Sequence, residues 1–220
     1  MIRRVIDIAV ALVVLIVLSP IFLLVSVAIM LESRGGPLYG GWRGGKDGLR
    51  FRMWKFRTMV SDADSIGGSI TAPSDRRITK VGHFLRATKV DELPQFYNLL
   101  VGDLTLVGPR PEDLDIIRLY TPEQMETLKV KPGLTGPGQL FYTTDQADTI
   151  PDGVDPEQFY IDSLLDQKLR VDLDYLKRRT VLSDCRVILR TIVLMARALK
   201  NCVYGRPSGG VKPWPHRNFN

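Results

Sequence analysis

The stretch "IAVALVVLIVLSPIFLLVSVAIML", residues 8–31, decides how the rest of the chain is arranged. It is apolar apart from Ser19-Pro20 and Ser26, and as one helix it is long enough to cross roughly 30 Å of hydrocarbon. The run is too long for a signal peptide, and no small-residue cleavage site precedes the more polar remainder of the chain. A buried core helix of this composition needs apolar partners on every face. Two membrane readings remain: a proline-kinked span, or a helix that enters, bends and returns to the face it came from. Pro20 removes a backbone donor and clashes with the preceding turn, and Ser19 can re-satisfy the freed backbone. Basic residues flank both ends, Arg3-Arg4 before and Arg34 after, so the positive-inside bias gives no vote for opposite sides. Asp7 fits a segment that starts in the interface. Residues 1–34 are therefore expected to form a re-entrant membrane helix kinked at Ser19 and Pro20.

The chain has 220 residues, 45% of them apolar, enough for one core-forming domain beyond that segment. We place a cytoplasmic domain at 35–204 and a mobile Gly-, Pro- and Ser-containing tail at 205–220. The formal charge of +6 and pI of about 9.4 point to an anionic partner. The basic residues form no long run, which disfavours nucleic acid. Cys185 and Cys202 make no metal spacing and no disulfide framework. His83 and His216 are too few and too far apart for a His-based site, and neither a Walker loop nor a dinucleotide fingerprint is present.

"LRFRMWKFRT", residues 49–58, alternates strictly and comes after "RGGKDG", which predicts a hairpin. Residues 61–74 read as a mobile Gly-, Ser- and Asp-rich loop. Helical pattern returns at "TKVGHFLRATKV", residues 79–90. In "DELPQFYNLL", residues 91–100, proline is tolerated only in a first helical turn, so a helix is expected to start at about Asp91. "TPEQMETL" from Thr121 carries a capping box closed by Gln124. "DPEQFYIDSLLDQKLRVDLDYLKRR", residues 155–179, predicts a long capped helix. "SDCRVILRTIVLMARALK", residues 183–200, is either a core helix or an interfacial one whose arginines meet lipid phosphates. The fold class is mainly α with a small β-hairpin, α+β, carrying interfacial amphipathic helices.

Asp91 and Glu92 admit two readings at a helix start. The plain one makes Asp91 an N-cap and Glu92 a first-turn acid favoured by the helix dipole. The chemical one adds the phosphate-compatible residues nearby: Lys55, Arg57 and Thr58 in "KFRT", Arg86 and Lys89 before the acids, Arg110 in "GPRP" and Lys131 in "KPGLTG". Each alone is more often a solvated surface residue. Together with Gly-rich loops they suit a phosphorylated substrate, because arginine forks bind phosphate oxygens. Paired acids can hold Mg²⁺ against a diphosphate, and one could attack phosphorus directly.

"KFRTM" at 55–59, "DELPQ" at 91–95, "VGPRP" at 107–111 and "KPGLTG" at 131–136, in that order behind an N-terminal "SP" membrane segment, resemble the bacterial monotopic phosphoglycosyl transferases. The resemblance covers about residues 1–200 and the catalytic unit alone. It implies a cytoplasmic domain seated on the cytoplasmic face of the bacterial inner membrane, in contact with phospholipid. It implies transfer of a phosphosugar from a UDP-sugar to undecaprenyl phosphate, with Mg²⁺ and release of UMP, at the start of glycan assembly. By match to the motif, Asp91 is the expected nucleophile, Glu92 its partner, and both are expected at the metal. Arg110 falls at the phosphate site, with Lys55, Arg57 and Thr58 nearby. Some members carry a "GR" pair after the "GLTG" loop. Here "GPGQLFYTTDQ" occupies that place, so a cation expected there is missing or replaced. A membrane-bound phosphodiesterase and a non-catalytic scaffold are the alternatives. The sugar is not encoded legibly, and a homodimer is left open.

Overall fold

The computed structural model describes residues 2–63, 75–145 and 154–203. The tail expected at 205–220 and most of the loop expected at 61–74 lie outside these residues. The described chain is mostly helical with two small sheets, in line with the expected α+β class.

Helices α1 (Ile2–Val17) and α2 (Ser19–Glu32) open the chain and are bent by 60°. The bend is local chemistry. Pro20 has no N–H to offer the Ile16 carbonyl four residues back. The Ser19 hydroxyl donates to that carbonyl instead, at 2.8 Å. No single helix among the described residues is long and apolar enough to cross a membrane; the pair passes only as a whole. Large apolar side chains such as Val13, Ile16, Leu23 and Leu24 stay exposed.

Polar bonds dock the start of α1. Asp7, buried, accepts from Thr105 Oγ1 at 2.9 Å and Leu106 N at 3.0 Å. Arg4 donates to the carbonyls of Leu99 and Leu100, each at 2.6 Å.

The expected hairpin is β1 (Leu38–Gly44) paired antiparallel with β2 (Arg50–Phe56), in register from Leu38–Phe56 to Gly44–Arg50. Phe51 and Met53 turn inward onto Leu104. Arg50 and Arg52 face out, each 5.0 Å from the Trp42 ring. Phe56 packs with Ile29 of α2 and with Leu85. The free edge of β2 is closed by one side chain. Asn98 accepts from Trp54 N at 3.0 Å and donates to Arg52 O at 2.7 Å, replacing a missing strand.

Helix α3 (Lys80–Thr88) is capped twice: Thr79 accepts from Gly82 N, and Glu32 at the end of α2 accepts from Lys80 N at 2.7 Å and Val81 N at 2.9 Å. A Cβ at Gly82 would collide with the Thr58 carbonyl, so only glycine lets α3 lie this close to the strand end. A 3₁₀ turn (Val90–Glu92) then leads to α4 (Gln95–Val101). The helix expected from Asp91 thus starts four residues later. Pro94 stands at its N-cap and Asp91 makes no capping bond. The proline does sit at the helix start, but the preceding residues tighten into their own turn.

Strands β3 (Thr105–Val107) and β4 (Gly133–Thr135) form a parallel pair, with α5 (Leu114–Ile117) between them. The capping box forms, Thr121 N to Gln124 Oε1 at 2.9 Å and Gln124 N to Thr121 Oγ1 at 3.3 Å, although the helix it opens is 3₁₀. After α6 (Pro137–Asp145), the expected long helix appears as α7 (Pro156–Phe159), a π turn (Tyr160–Leu164) and α8 (Leu165–Lys177). The last helix, α9 (Val181–Val203), buries Val187 but exposes Leu182, Leu189, Ile192 and Leu199. That favours the interfacial reading over the core one.

Helix α8 meets α6 at a fully buried acid. Asp172 accepts from Gly138 N at 2.9 Å through Oδ1, while Oδ2 has no partner. Burial pushes its carboxyl up to about 7. From pH about 4 to about 7 the unfolded chain has released this proton and the folded chain keeps it, so stability falls as pH rises through that window. Asp172→Asn keeps the acceptor and cannot ionise. Its stability advantage over wild type should grow across the window, to the order of 2–4 kcal/mol above pH 7 by denaturant titration. A pH-independent difference would refute the buried proton.

Candidate active site

Three elements converge on one carboxylate. The Asn98 bond fixes β2 so that the next residue, Lys55, projects to the acid turn. Lys55 Nζ lies 3.2 Å from Glu92 Oε1, and Arg110 Nη2, from the turn after β3, lies 3.0 Å from the same oxygen. Burial pushes Glu92 up, but Arg110 and Lys55 outweigh it and hold the carboxyl well below its usual range. Burial also draws Lys55 down from the usual lysine value, against the pull of Glu92.

Asp91 behaves oppositely. Burial, and then Glu92 beside it, push its carboxyl up, offset in part by Lys55, Lys89 and Arg86. No helix dipole steadies either acid, because α4 starts beyond them and is only seven residues long. Two adjacent acids are thus shifted in opposite directions, Glu92 down and Asp91 up, a pattern that marks acid–base or nucleophilic sites. Asp91 is 7% exposed, and its Oδ1 is buried without a hydrogen-bond partner. Arg110 Nη1 is likewise buried and unpartnered.

Both line a cavity of about 570 Å³, within the range of small-molecule sites. Its described lining carries seven cationic side chains against three acidic ones, so it suits an anion of several charges. Arg86 donates from Nε to Thr58 Oγ1 at 2.9 Å, and both face the cavity. Lys89 joins α3 to the acid turn in the left-handed region, φ 60°, a strained conformation of the sort found at functional sites.

Lys55, Thr58, Arg86, Asp91, Glu92 and Arg110 therefore come together as expected. Two expected residues are engaged elsewhere in this structure. Arg57 touches the cavity, but its guanidinium donates to Arg34 O, to Ser33 O at 2.9 Å, to Ser33 Oγ at 3.1 Å and to Gly35 O at 3.3 Å, closing the end of α2. Lys131 is outside the described lining and donates to Gly102 O at 2.6 Å. A cation's partner is set by tertiary structure, to which a motif is blind. The sequence reading also misses Glu112, which binds the buried Lys168 and Tyr160 and anchors the Arg110 turn from beneath. The two sides of that ion pair are 56 residues apart, and no local signal joins them. Arg43 and Asp113, 2.9 Å apart on the cavity wall, carry no local mark either.

A family model described as bacterial sugar transferase matches residues 1–198. A UDP-glucose:undecaprenyl-phosphate glucose-1-phosphate transferase of Caulobacter vibrioides is 34% identical over 193 residues, covering 86% of this chain and 68% of that protein. An Escherichia coli protein of the same name is 33% identical, over 87% of this chain and 39% of its own length. A UDP-N-acetylgalactosamine-undecaprenyl-phosphate N-acetylgalactosaminephosphotransferase of Aeromonas hydrophila is 33% identical, over 87% and 43%. The chain thus spans about two fifths of the length of the latter two.

Arg57→Met should lower stability by about 2–3 kcal/mol, the scale of hydrogen bonds to a charged group. The folded variant should turn over at close to the wild-type rate. Full stability with activity lost would return Arg57 to the substrate.

Proposed function

This chain belongs to the bacterial sugar transferase family and is a transferase, and we propose that it moves a sugar-1-phosphate from a UDP-sugar to undecaprenyl phosphate through Asp91, starting glycan assembly. An Asp91 carboxylate oxygen forms a bond to the phosphorus that bears the sugar. The bond from that phosphorus to the bridging oxygen breaks, and UMP leaves with the electron pair. A phosphate oxygen of the lipid then attacks the same phosphorus and displaces the carboxylate, giving the undecaprenyl diphosphate sugar and free Asp91. The observation that carries this reading is Asp91 itself: a buried, unpartnered carboxylate oxygen in a cation-lined cavity. A raised pKa makes it the more basic, hence the more nucleophilic, of the two acids once ionised.

Arg110, with a buried unpartnered Nη1, binds a donor phosphate oxygen, and Glu92 keeps its fork in place. Lys55 and Arg86 face the charge that develops on the phosphoryl oxygens. Mg²⁺ fits the residues present. The orphaned Asp91 Oδ1 and the carboxylate of Glu92 would hold it, the remaining ligands coming from diphosphate and water. When bound, the ion neutralises diphosphate charge. Among the described residues no group of three or more His, Cys, Asp or Glu could hold a metal alone, which suits an ion carried in with the nucleotide.

In this reading α1 and α2 dip into the cytoplasmic leaflet of the inner membrane and return. The 60° bend and the exposed apolar surface support it. The exposed apolar residues of α9, beside Arg186, Arg190 and Arg197, rest on the lipid surface.

Enzyme plus labelled UDP-sugar, without lipid, should give a labelled protein and one equivalent of UMP. Asp91→Asn should fold and do neither; wild-type transfer by that variant would sink the covalent mechanism. For topology, cysteines introduced at Ile2 and Gly36 should be labelled from the same, cytoplasmic side. Pro20→Leu should push the segment toward spanning and move one label across. Opposite-side labelling in the unmodified hairpin would establish a span.

A further inference from the structure

The cavity extends well past the acids, along two rails. One is the inward face of the hairpin. Tyr39 pairs across the strands with Lys55, Gly41 with Met53 and Arg43 with Phe51. Tyr39, Gly41 and Arg43 therefore run in a line away from the Lys55–Glu92 contact, over roughly 13 Å at strand rise. The other rail is the extended turn that begins at Arg110, on Glu92, and ends at Asp113, on Arg43. The rails are tied near their far end by Gly44 N donating to Glu112 O at 3.0 Å. All three hairpin residues, Arg110 and Asp113 line the same cavity. The channel thus starts at the reacting acids and ends at an ion pair. Glycine at its middle leaves the floor without a side chain.

The ion pair at the far end is accessible, its side chains 28% and 25% exposed. Both bonds of Arg43, to Trp42 O at 2.7 Å and to Asp113 at 2.9 Å, use Nη1. Asp113 presents acceptors only and Arg43 donors only. Side by side they complement a ring edge that offers an N–H next to a carbonyl oxygen. The uracil edge is such a surface, with N3–H beside O4. Cytosine has an acceptor at N3 and an amino group at C4, so in the pose that suits uracil it would set its N3 lone pair against the carboxylate and its amino group against the guanidinium, and only a shifted base would relieve this.

Resting on the UDP-sugar reading of the donor, we propose that the uridine lies along this channel, with its ribose over Gly41 and its uracil edge read by Arg43 and Asp113. In-line displacement supports the direction, since it puts the departing UMP opposite the attacking oxygen, and the channel leads away from Asp91. Its length suits a ribose and a base end to end and exceeds one hexose ring. The pair is a specificity determinant that touches the leaving nucleotide and takes no part in bond making.

Binding of UMP and CMP to the full chain in nanodiscs, measured by calorimetry, tests this without turnover. Wild type and Asp91→Asn should both bind UMP in preference to CMP. Arg43→Met should weaken UMP at least ~10-fold, the scale of losing a good base-edge contact. Asp113→Asn keeps the helix-capping oxygen and so the fold, but adds a donor. It should weaken UMP and narrow the UMP-to-CMP ratio at least ~5-fold. If both variants bind UMP as wild type does, the placement is wrong. If they alter only the ranking of UDP-sugars, the pair serves the sugar and the placement is again wrong. Wild type that binds no UMP would instead overturn the donor reading itself.

Discussion

A carboxylate without water needs cations, and Glu92 has two. Burial alone would favour its protonated form; Arg110 and Lys55 reverse that. Each comes from a different part of the chain, so Glu92 is the point at which strand β2, the acid turn and the turn after β3 are held in one geometry. A buried ion cluster of this kind is weak evidence for stability, because desolvation cancels much of its attraction. Its value is in position. Glu92 takes the direct contacts of Lys55 and Arg110, and Asp91, which lines the cavity, is left with one oxygen unpartnered. One acid is held by two cations while its neighbour keeps an oxygen without a partner.

The supports of this cluster are themselves buried polar contacts. Asn98 stands in for a strand along β2 and thereby aims Lys55. Glu112, with Lys168 and Tyr160, holds the turn that carries Arg110. The N-terminal helices join the same scaffold through Asp7, Arg4 and Glu32. The greasy segment is thus fastened by polar bonds at its two ends, while much of the apolar surface between them stays exposed.

What can be read from sequence is whatever depends on near neighbours along the chain. Ser19 and Pro20 announce a bend because the missing donor and its substitute are adjacent. Alternation fixes the hairpin, and Thr121 with Gln124 fixes a cap. The start of α4 escapes the same logic because Pro94 is equally content at an N-cap, and the 3₁₀ turn before it has no strong local signature. Arg57 and Lys131 look like any other cation in a glycine-rich motif until their acceptors, backbone carbonyls in both cases, are known. The family likeness supplies Asp91 and Arg110. It does not supply Asn98, Glu112 or the Arg43–Asp113 pair, whose meaning lies in contacts between distant segments.

The four residues from Lys55 to Thr58 point to four different places: the acids, the core under α2, the end of α2, and Arg86. In an extended segment successive side chains alternate in direction, so an inserted or deleted residue exchanges their destinations rather than shifting them slightly. Substitutions here can be absorbed one at a time; a change of length cannot. Over evolutionary time this short stretch should therefore drift in composition while its length and its spacing to the rest of β2 stay intact. Length changes should accumulate instead at the outer end of the hairpin, around Lys46–Gly48, where the lysine and aspartate of the turn are open to solvent.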